Sequence, residues 1–290
     1  MKISIITFTY NRKKKIQNTI NSVLNQSYTN WEYYVVDDGS DDNTKDLFIE
    51  KKYKDIKYIN LPNNSGQGGA FINSNILNII SGDIVIILDS DDWLAEGALE
   101  KIVYDFKSFH KDVWCIAYNW YPDNDIKQFN KIDNYNKFQT FNSFDIFNDD
   151  YPLNSNNNGY RDYLFVCRKE YWNARLKYFT LDKHLYTSQY DVAMNNIYIV
   201  KFTELKIYYM GFDDDCVTKG MNFNKYSPIT NFTREYLFKN YKDKMSNKYF
   251  QYTIKSLILN YYIYSGNKIK ILKLIKLECI ELIKKLNNIL

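Results

Sequence analysis

The sequence predicts an α/β fold in which a mostly parallel sheet is flanked by helices and followed by a helical C-terminal extension. Three observations carry this expectation. Short apolar runs alternate with helix-period segments through the first half, acidic clusters follow two of those runs, and the pattern from Asn231 onward is helical and basic.

Ile3 to Phe8 is a short apolar run suited to a buried strand, and Ile16, Ile20, Val23 and Leu24 then recur at helical spacing. Tyr33 to Val36 reads as a second strand and Thr44 to Lys52 as a second helix. Ile56 to Leu61 gives a third strand, stopped by Pro62 and the turn-rich Asn63 to Gly69 segment. Ala70 to Ile80 has a helical pattern, and Ile84 to Leu88 is the strongest strand signal in the chain. Leu94, Ala98, Leu99, Ile102, Val103 and Phe106 mark one face of a further helix. Strands and helices alternating at this pitch imply right-handed crossovers, so ligands are expected beyond the carboxyl ends of the strands. Residues 120 to 160 are Asn- and Asp-rich and read as loops around a few short elements. Tyr163 to Cys167 reads as a strand followed by a helix or turn through Trp172, and the apolar pattern resumes over Val192 to Val200 and Lys206 to Gly211. No internal repeat is evident. Domain boundaries are therefore expected at 1–224 for a catalytic domain, with halves of about 1–110 and 111–224, and at 225–290 for the extension.

The chain has 290 residues, 45% of them hydrophobic and 25% charged, which argues against intrinsic disorder. The formal charge of +4 hides an asymmetry. From Lys225 onward 13 Lys and Arg face 4 Asp and Glu, giving +9, so residues 1–224 carry −5. A nucleic-acid binder is not expected from this balance, and any membrane argument concerns the tail. Cys115, Cys167, Cys216 and Cys279 show no paired spacing for zinc or a redox dithiol, and a reduced cytoplasmic chain is the simplest expectation. The N-terminal apolar run lacks the flanks of a signal peptide, and no run approaches the roughly 18 to 20 apolar residues of a spanning helix.

Asp37-Asp38 follow the second strand and Asp89-Ser90-Asp91-Asp92 follow the fourth. Carboxylates gathered at one sheet edge repel one another unless a cation or donor groups offset them. Oxygen ligands without His or Cys favour magnesium or manganese, which share phosphate oxygens of a ligand, so a metal-bound diphosphate is inferred. The plainer alternative is that these acids are turn formers and helix caps, with Asp37-Asp38-Gly39-Ser40 turning into a helix capped near Asp42 or Asn43.

Four motifs in order resemble the family 2 glycosyltransferases of the GT-A fold. They are Thr9-Tyr10-Asn11-Arg12, Asn25-Gln26-Ser27-Tyr28, Val36-Asp37-Asp38-Gly39-Ser40 and Leu88-Asp89-Ser90-Asp91-Asp92-Trp93, the last matching that family's metal-binding DxD motif. The resemblance is close over residues 2–110 and loose over 160–220. It implies that Phe8, Thr9, Tyr10 and Asp37, with Asp38 nearby, hold the nucleotide base. It also implies that Asp89, Ser90 and Asp91 face the ribose and a diphosphate bridged by Mn2+ or Mg2+, with Asp92 as an additional or alternative ligand.

An inverting transfer further needs a general base for the acceptor hydroxyl. The resemblance puts it at Asp191 in Ser188-Gln189-Tyr190-Asp191-Val192-Ala193, with Asp182 and Asp213 to Asp215 as fallbacks. Asp191 could equally be an N-terminal helix residue favoured by the dipole. The family often has Arg-Asn where this chain reads Gly69-Ala70-Phe71-Ile72-Asn73, so Arg168 or Lys219 could replace a lost cation. His110 and His184 are lone histidines at unmatched spacing and are not expected to be ligands. Trp93 could stack on an acceptor sugar or pack under the following helix.

From Lys268 to the end, Ile271, Leu272, Ile275, Leu282, Leu286 and Ile289 gather opposite five lysines on a helical wheel. Such a helix either lies on an anionic membrane surface or packs on the catalytic domain or a second subunit.

The resemblance thus implies an inverting, metal-dependent transferase using a nucleotide sugar, with a UDP-sugar expected, and a glycan or lipid-linked acceptor in bacterial surface-glycan synthesis, such as lipopolysaccharide or capsule. Its location would be cytoplasmic or peripheral on the inner face of the membrane. A non-catalytic nucleotide-sugar or glycan-binding module is the alternative from another class. A sugar nucleotidyltransferase would carry a Gly-rich loop after the first strand, where this chain has Thr7-Phe8-Thr9-Tyr10-Asn11. P-loop NTPases and dinucleotide-binding dehydrogenases are excluded by the absence of their glycine signatures.

Overall fold

A computed structural model describes residues 1–122, 137–147, 163–179, 191–193, 195–210 and 228–246, with isolated positions between 250 and 276. The chain divides into two compact units, Met1–Ser143 with Tyr160–Lys219, and Phe144–Gly159 with Gly220–Leu290.

In the first unit the elements are β1 (Ile3–Thr9), α1 (Ile16–Leu24), β2 (Trp31–Asp37), β3 (Ile56–Asn60), α2 (Gly66–Asn73), α3 (Ile76–Ile79), β4 (Ile84–Ile87) and β5 (Trp93–Leu94). They continue as α4 (Ala98–Ser108), β6 (Val113–Pro122), β7 (Gln139–Asn142), β8 (Leu164–Arg168), α5 (Lys169–Phe179) and β9 (Ile199–Met210). One nine-stranded sheet has the order β3-β2-β1-β4-β8-β6-β9-β5, with β7 also paired to β9. The β3-β2-β1-β4 part is parallel throughout. β8 is antiparallel to both of its neighbours, while β6 and β9 run parallel to each other. Every residue of β1 is buried, which explains its unbroken apolar and small-residue sequence at the centre of the sheet. On α1 the buried residues Ile16, Thr19, Ile20 and Val23 form a stripe at helical spacing. That stripe joins β-strand residues such as Ile5, Tyr33 and Ile86 in one continuous core.

Three local expectations are corrected. The helix expected over Thr44 to Lys52 is two 3-10 turns, Thr44–Ile49 and Lys51–Tyr53, separated by the extended backbone of Glu50. So short a segment gains little from helix propagation, and the break lets Tyr53 enter the core. The helix expected over Ala70 to Ile80 starts four residues earlier and is interrupted at Asn75, which has φ 53°. Asn tolerates the left-handed region, and just before Asn75 the Ser74 hydroxyl donates to the Phe71 carbonyl at 3.3 Å. Leu94 belongs to a strand rather than to the following helix, because Gly97 at φ 76° separates it from α4. β7 is one of the short elements expected within residues 120–160, and β6, from Val113 to Pro122, is a strand that the sequence pattern did not mark. The cysteines, distant in sequence, are not all distant in space: Cys115 and Cys167 are cross-strand partners on β6 and β8, both buried and free. Burial pushes the Cys115 thiol well above its ordinary value, so it stays protonated.

The amino edge of the sheet is held by Glu32, which is 6% exposed. Its carboxylate accepts from the Ser81 backbone N–H at 2.5 Å, the Ser4 hydroxyl at 2.7 Å, and the Lys2 and Lys57 ammonium groups at 2.9 and 3.3 Å. Burial acts to raise the Glu32 pKa, but these bonds outweigh it and hold the group well below the usual carboxylate range. Because the folded value is depressed, the stabilisation is present above the unfolded value of about 4.3 and is lost as pH falls below it. Glu32→Gln is therefore expected to cost about 1–3 kcal/mol at pH 7, with a gap that narrows toward pH 3, read from urea midpoints. Beside it, a Cβ on Gly82 would come within 2.5 Å of the Ser4 backbone nitrogen and 2.9 Å of the Ile3 carbonyl carbon. Backbone cannot swing aside, so Gly82→Ala is expected to cost about 1–3 kcal/mol in the same measurement.

In the second unit, α6 (Pro228–Tyr241) is followed by a 3-10 turn at Lys242–Lys244. Tyr241 packs on Phe147 at 5.7 Å, and Ile254 and Leu257 are buried with Phe238 and Phe250 beside them. The amphipathic segment expected over 268–290 lies outside the described residues apart from Lys276. Among the described residues no helix is long and apolar enough to cross a membrane.

Candidate active site

Strand register brings the sequence-predicted residues to one edge. Thr9 ends β1 directly beside Asp37 at the end of β2, and Asp37 in turn faces Asn60 on β3. β4 stops opposite Ile6, and the Leu88 N–H bonds the Ile6 carbonyl at 2.9 Å, so Asp89 to Asp92 emerge at the carboxyl end of the central strands. This is where a parallel sheet presents ligand-binding loops.

The loops there are tied to one another by short polar contacts. Asn11 takes a left-handed conformation, donating its backbone N–H to the Ser40 hydroxyl and accepting from the Asp41 N–H, both at 2.9 Å. Asp37, 1% exposed, accepts from the Ser40 N–H at 2.8 Å and the Tyr58 hydroxyl at 2.5 Å. Burial first, and then the bond to Asp37, drive the Tyr58 pKa far up, so that hydroxyl is a committed donor. Asp38 gives both oxygens to Ser65, at 2.8 Å to its N–H and 2.9 Å to its hydroxyl. A Cβ on Gly69 would meet the Ser65 Cβ at 2.5 Å, so glycine there lets Ser65 reach Asp38. Gly39, at φ 80°, runs so close to Asn63 that a Cβ would lie 2.8 Å from its carbonyl carbon.

Phe8 is buried and packs on Phe71 at 5.9 Å, forming the floor of the edge, while Tyr10 is exposed. The Thr9 hydroxyl is buried with no hydrogen-bond partner among the described residues. An orphaned buried hydroxyl is costly, and Thr9 pairs in register with Asp37.

In the acidic turn, Ser90 and Asp92 are buried, Asp89 is exposed, and the Asp92 N–H closes the turn on the Asp89 carbonyl at 3.1 Å. Gln67 donates to Asp89 at 3.2 Å, and Arg12 Nη1 lies 2.5 Å from Asp91 Oδ2. The turn is braced from both sides. The Leu94 N–H bonds the Ser22 hydroxyl at 3.0 Å, and Gln26 bonds the Ala95 carbonyl and the Leu99 N–H at 2.9 and 3.2 Å. That bond pair is the physical role of the Asn25-Gln26-Ser27-Tyr28 motif at the end of α1. On the other side Trp93 pairs with Tyr209 of β9 and stacks on its ring at 5.8 Å. The remaining surface of Trp93 lines a cavity of about 380 Å³ with Asn18, Asn21, Ser22 and Asn25.

The oxygen-only donor set of Asp89, Asp91 and Asp92 suits magnesium or manganese. No three acidic, His or Cys side chains among the described residues are arranged to hold a cation unaided.

Arg168 is corrected as a diphosphate partner. It pairs with Ile84 at the amino end of β4, donates to the Val113 and Phe106 carbonyls at 2.8 and 3.2 Å, and lies over the Phe106 ring. A cation that does reach the acidic turn is Arg12, paired with Asp91, which the sequence displays in a motif without revealing its partner. His110 bonds Asp112 at 2.9 Å, just before β6 begins at the amino edge. Asp182, His184, Asp213 to Asp215 and Lys219 lie outside the described residues.

Asp191, Val192 and Ala193 are helical, and Val192 and Ala193 are fully buried. β8 ends at the amino edge, and α5 carries the chain back past Phe71, on which Trp172 packs at 5.4 Å. Tyr178, in the last turn of α5, has its pKa raised by burial and then by the charge of Asp191, which places that carboxylate near it.

Comparison with known proteins decides what this edge belongs to. Residues 4–172, more than half of the chain, match the family described as Glycosyl transferase family 2. The chain belongs to glycosyl transferase family 2. Over 115 residues it is 38% identical to poly(ribitol-phosphate) beta-N-acetylglucosaminyltransferase TarP of Staphylococcus aureus, covering 39% of this chain and 35% of TarP. Over 94 residues it is 40% identical to WfgD of Escherichia coli, a UDP-Glc:alpha-D-GlcNAc-diphosphoundecaprenol beta-1,3-glucosyltransferase, covering 32% of this chain and 36% of WfgD. The matched segment thus spans about a third of each curated relative. The structure of S. aureus TarS 1–349 in complex with UDP-GlcNAc superposes with a TM-score of 0.58 at 18% identity, covering 92% of this chain and 74% of that one. The family and this likeness together make the fold GT-A.

Proposed function

We propose that this family 2 member is an inverting, metal-dependent glycosyltransferase that moves a sugar from a nucleotide donor, a UDP-sugar, to the hydroxyl of a glycan or lipid-linked acceptor in bacterial surface-glycan synthesis. One observation carries the reading: the Asp89–Asp92 turn opens onto the same strand edge as Asp37 and the unpartnered Thr9 hydroxyl. A base-and-ribose pocket and an oxygen-donor site for a bridged diphosphate are thereby adjacent. TarP and WfgD, whose names state transfer of N-acetylglucosamine and glucose, support a sugar donor and a surface-glycan acceptor.

In this mechanism Phe8, Thr9, Tyr10 and Asp37 receive the base, with Asp38 holding the Ser65 loop against them. Asp89 and Ser90 face the ribose, and Asp91 with Asp89 or Asp92 would hold the Mn2+ or Mg2+. When bound, the cation supplies Lewis-acid stabilisation of the departing nucleoside diphosphate. Asp191 takes the proton of the acceptor hydroxyl as its oxygen attacks the anomeric carbon and the bond from that carbon to the diphosphate oxygen breaks. Trp93 offers an indole face to the acceptor sugar beside the Asn18, Asn21 and Asn25 amides.

The test is a thermal-shift screen of nucleotide sugars with Mn2+, followed by transfer assays with the stabilising donor. Stabilisation by a UDP-sugar together with transfer is expected, and binding of one donor without transfer to any glycan or lipid-linked acceptor would leave the non-catalytic module as the better description. Trp93→Ala is expected to raise the acceptor KM about tenfold with little change in donor KM, a loss of about 1.4 kcal/mol. The basic segment 268–290 is proposed to bring the enzyme to anionic lipid. Liposome sedimentation should show binding that disappears on its deletion, and unchanged sedimentation would reject that role.

A further inference from the structure

The acidic turn is occupied by one of the chain's own cations. Arg12 Nη1 and Asp91 Oδ2 are 2.5 Å apart, and the two side chains are only 17% and 12% exposed. Arg12 is not a mobile surface residue at its base. Asn11 before it is locked in a left-handed conformation by its reciprocal bonds to Ser40 and Asp41, and the Arg12 carbonyl accepts from the Ile16 N–H at 3.0 Å at the start of α1. The same Ser40 donates its N–H to Asp37, so the backbone that carries Arg12 is continuous with the loop beneath the proposed base pocket.

We propose that Arg12 couples cation and donor binding: it neutralises Asp91 while the site holds no donor and transfers to the donor's diphosphate when a divalent cation takes Asp91. This rests on the reading of the chain as a nucleotide-sugar transferase and adds a residue to it.

The charges dictate the coupling. A divalent cation arriving alone must displace Arg12 from Asp91, separating a largely buried guanidinium from that carboxylate and setting it beside a new double positive charge. A diphosphate arriving alone brings anionic oxygens toward the charges of Asp89 and Asp92, while the Arg12 guanidinium is committed to Asp91. When both arrive together each displaced group has a replacement. Asp91 exchanges a monovalent for a divalent partner, and the planar guanidinium finds phosphate oxygens that match its donor fork. Each ligand therefore strengthens the other by one common factor, as linkage requires.

The experiment is calorimetry on the full chain with Mn2+ alone, UDP alone, and each in the presence of the other. In the wild type the presence of UDP is expected to tighten Mn2+ about tenfold or more, and Mn2+ to tighten UDP by the same factor. Arg12→Gln is expected to bind Mn2+ alone about tenfold more tightly and to bring the coupling factor down toward one. Arg12→Lys, which keeps the charge but not the fork, should lie between. Asp91→Asn reads the other half of the exchange: with Arg12 released, UDP without cation should bind about tenfold more tightly than to the wild type. Unaltered Mn2+ affinity and coupling in Arg12→Gln would overturn the proposal. If that variant does not fold, cation-free UDP affinity in Asp91→Asn that is equal to or weaker than the wild type overturns it instead. Failure of the wild type to bind UDP or any nucleotide sugar with Mn2+ defeats the functional reading, whereas normal wild-type binding with unmoved variants defeats only the role of Arg12.

Discussion

Replacing Asp191 with Asn is expected to lower the transfer rate about 10²- to 10⁴-fold, the range that removal of a general base produces. The substitution keeps size and hydrogen-bonding capacity, and Asp191 lies on a segment separate from the Asp37 and Asp89–Asp92 loops. Donor affinity, measured by UDP calorimetry with Mn2+, should stay within about twofold, because the proposed role is confined to the acceptor proton. The buried Val192 and Ala193 anchor the turn, so its fold should survive. A variant with near wild-type kcat would reassign Asp191 to the plainer role of a helix-start residue beside Tyr178. Asp182 and Asp213 to Asp215 would then be the next substitutions to make.

The second large effect concerns the acidic turn. Treatment with a strong chelator is expected to reduce transfer by about 10²- to 10⁴-fold, with recovery on adding Mn2+ or Mg2+, since charge stabilisation of a departing diphosphate is worth several kcal/mol. Asp89→Asn should show a related loss that added metal does not repair. Asp89 is exposed, where it accepts from Gln67 at 3.2 Å, so the substitution should alter the melting temperature less than one at a buried carboxylate. That combination separates it from Asp37→Asn. Asp37 is almost fully buried and bonded to Tyr58 and Ser40, and losing its charge would weaken the loop as well as the proposed base pocket. Full transfer by the chelated chain would remove the cation from the mechanism.

The parts of the fold legible in the sequence are those whose signal is local. β1, β2, β3 and β4 were marked by short apolar runs, and the chain must turn after each of them, so Asp37-Asp38 and Asp89 to Asp92 could be placed at strand ends before any pairing was known. In the second half Tyr163 to Cys167 marks β8 and the apolar patterns over Val192 to Val200 and Lys206 to Gly211 reach β9, but β6 has no such signal. β6 draws its order from β8 and β9, strands some fifty to ninety residues away, and its aromatic-rich sequence has neither clean alternation nor bounding turns. β5 consists of two residues whose Leu94 shares the helical period of α4, and only pairing with Tyr208 and Tyr209 makes it a strand.

The same distinction applies to the site. Sequence by itself determined the fold class, the family, and the chemical type of the acidic edge, because strand periodicity, turn residues and oxygen-only ligands are properties of contiguous segments. Only the tertiary structure decided which cation meets those acids. Arg168 and Arg12 are equally basic, but register sends Arg168 to the amino edge and the left-handed turn at Asn11 brings Arg12 to Asp91. It also decided that Gln26 braces the turn and that Cys115 faces Cys167. Partners of this kind are set by strand order and register across distant segments, which no local pattern encodes.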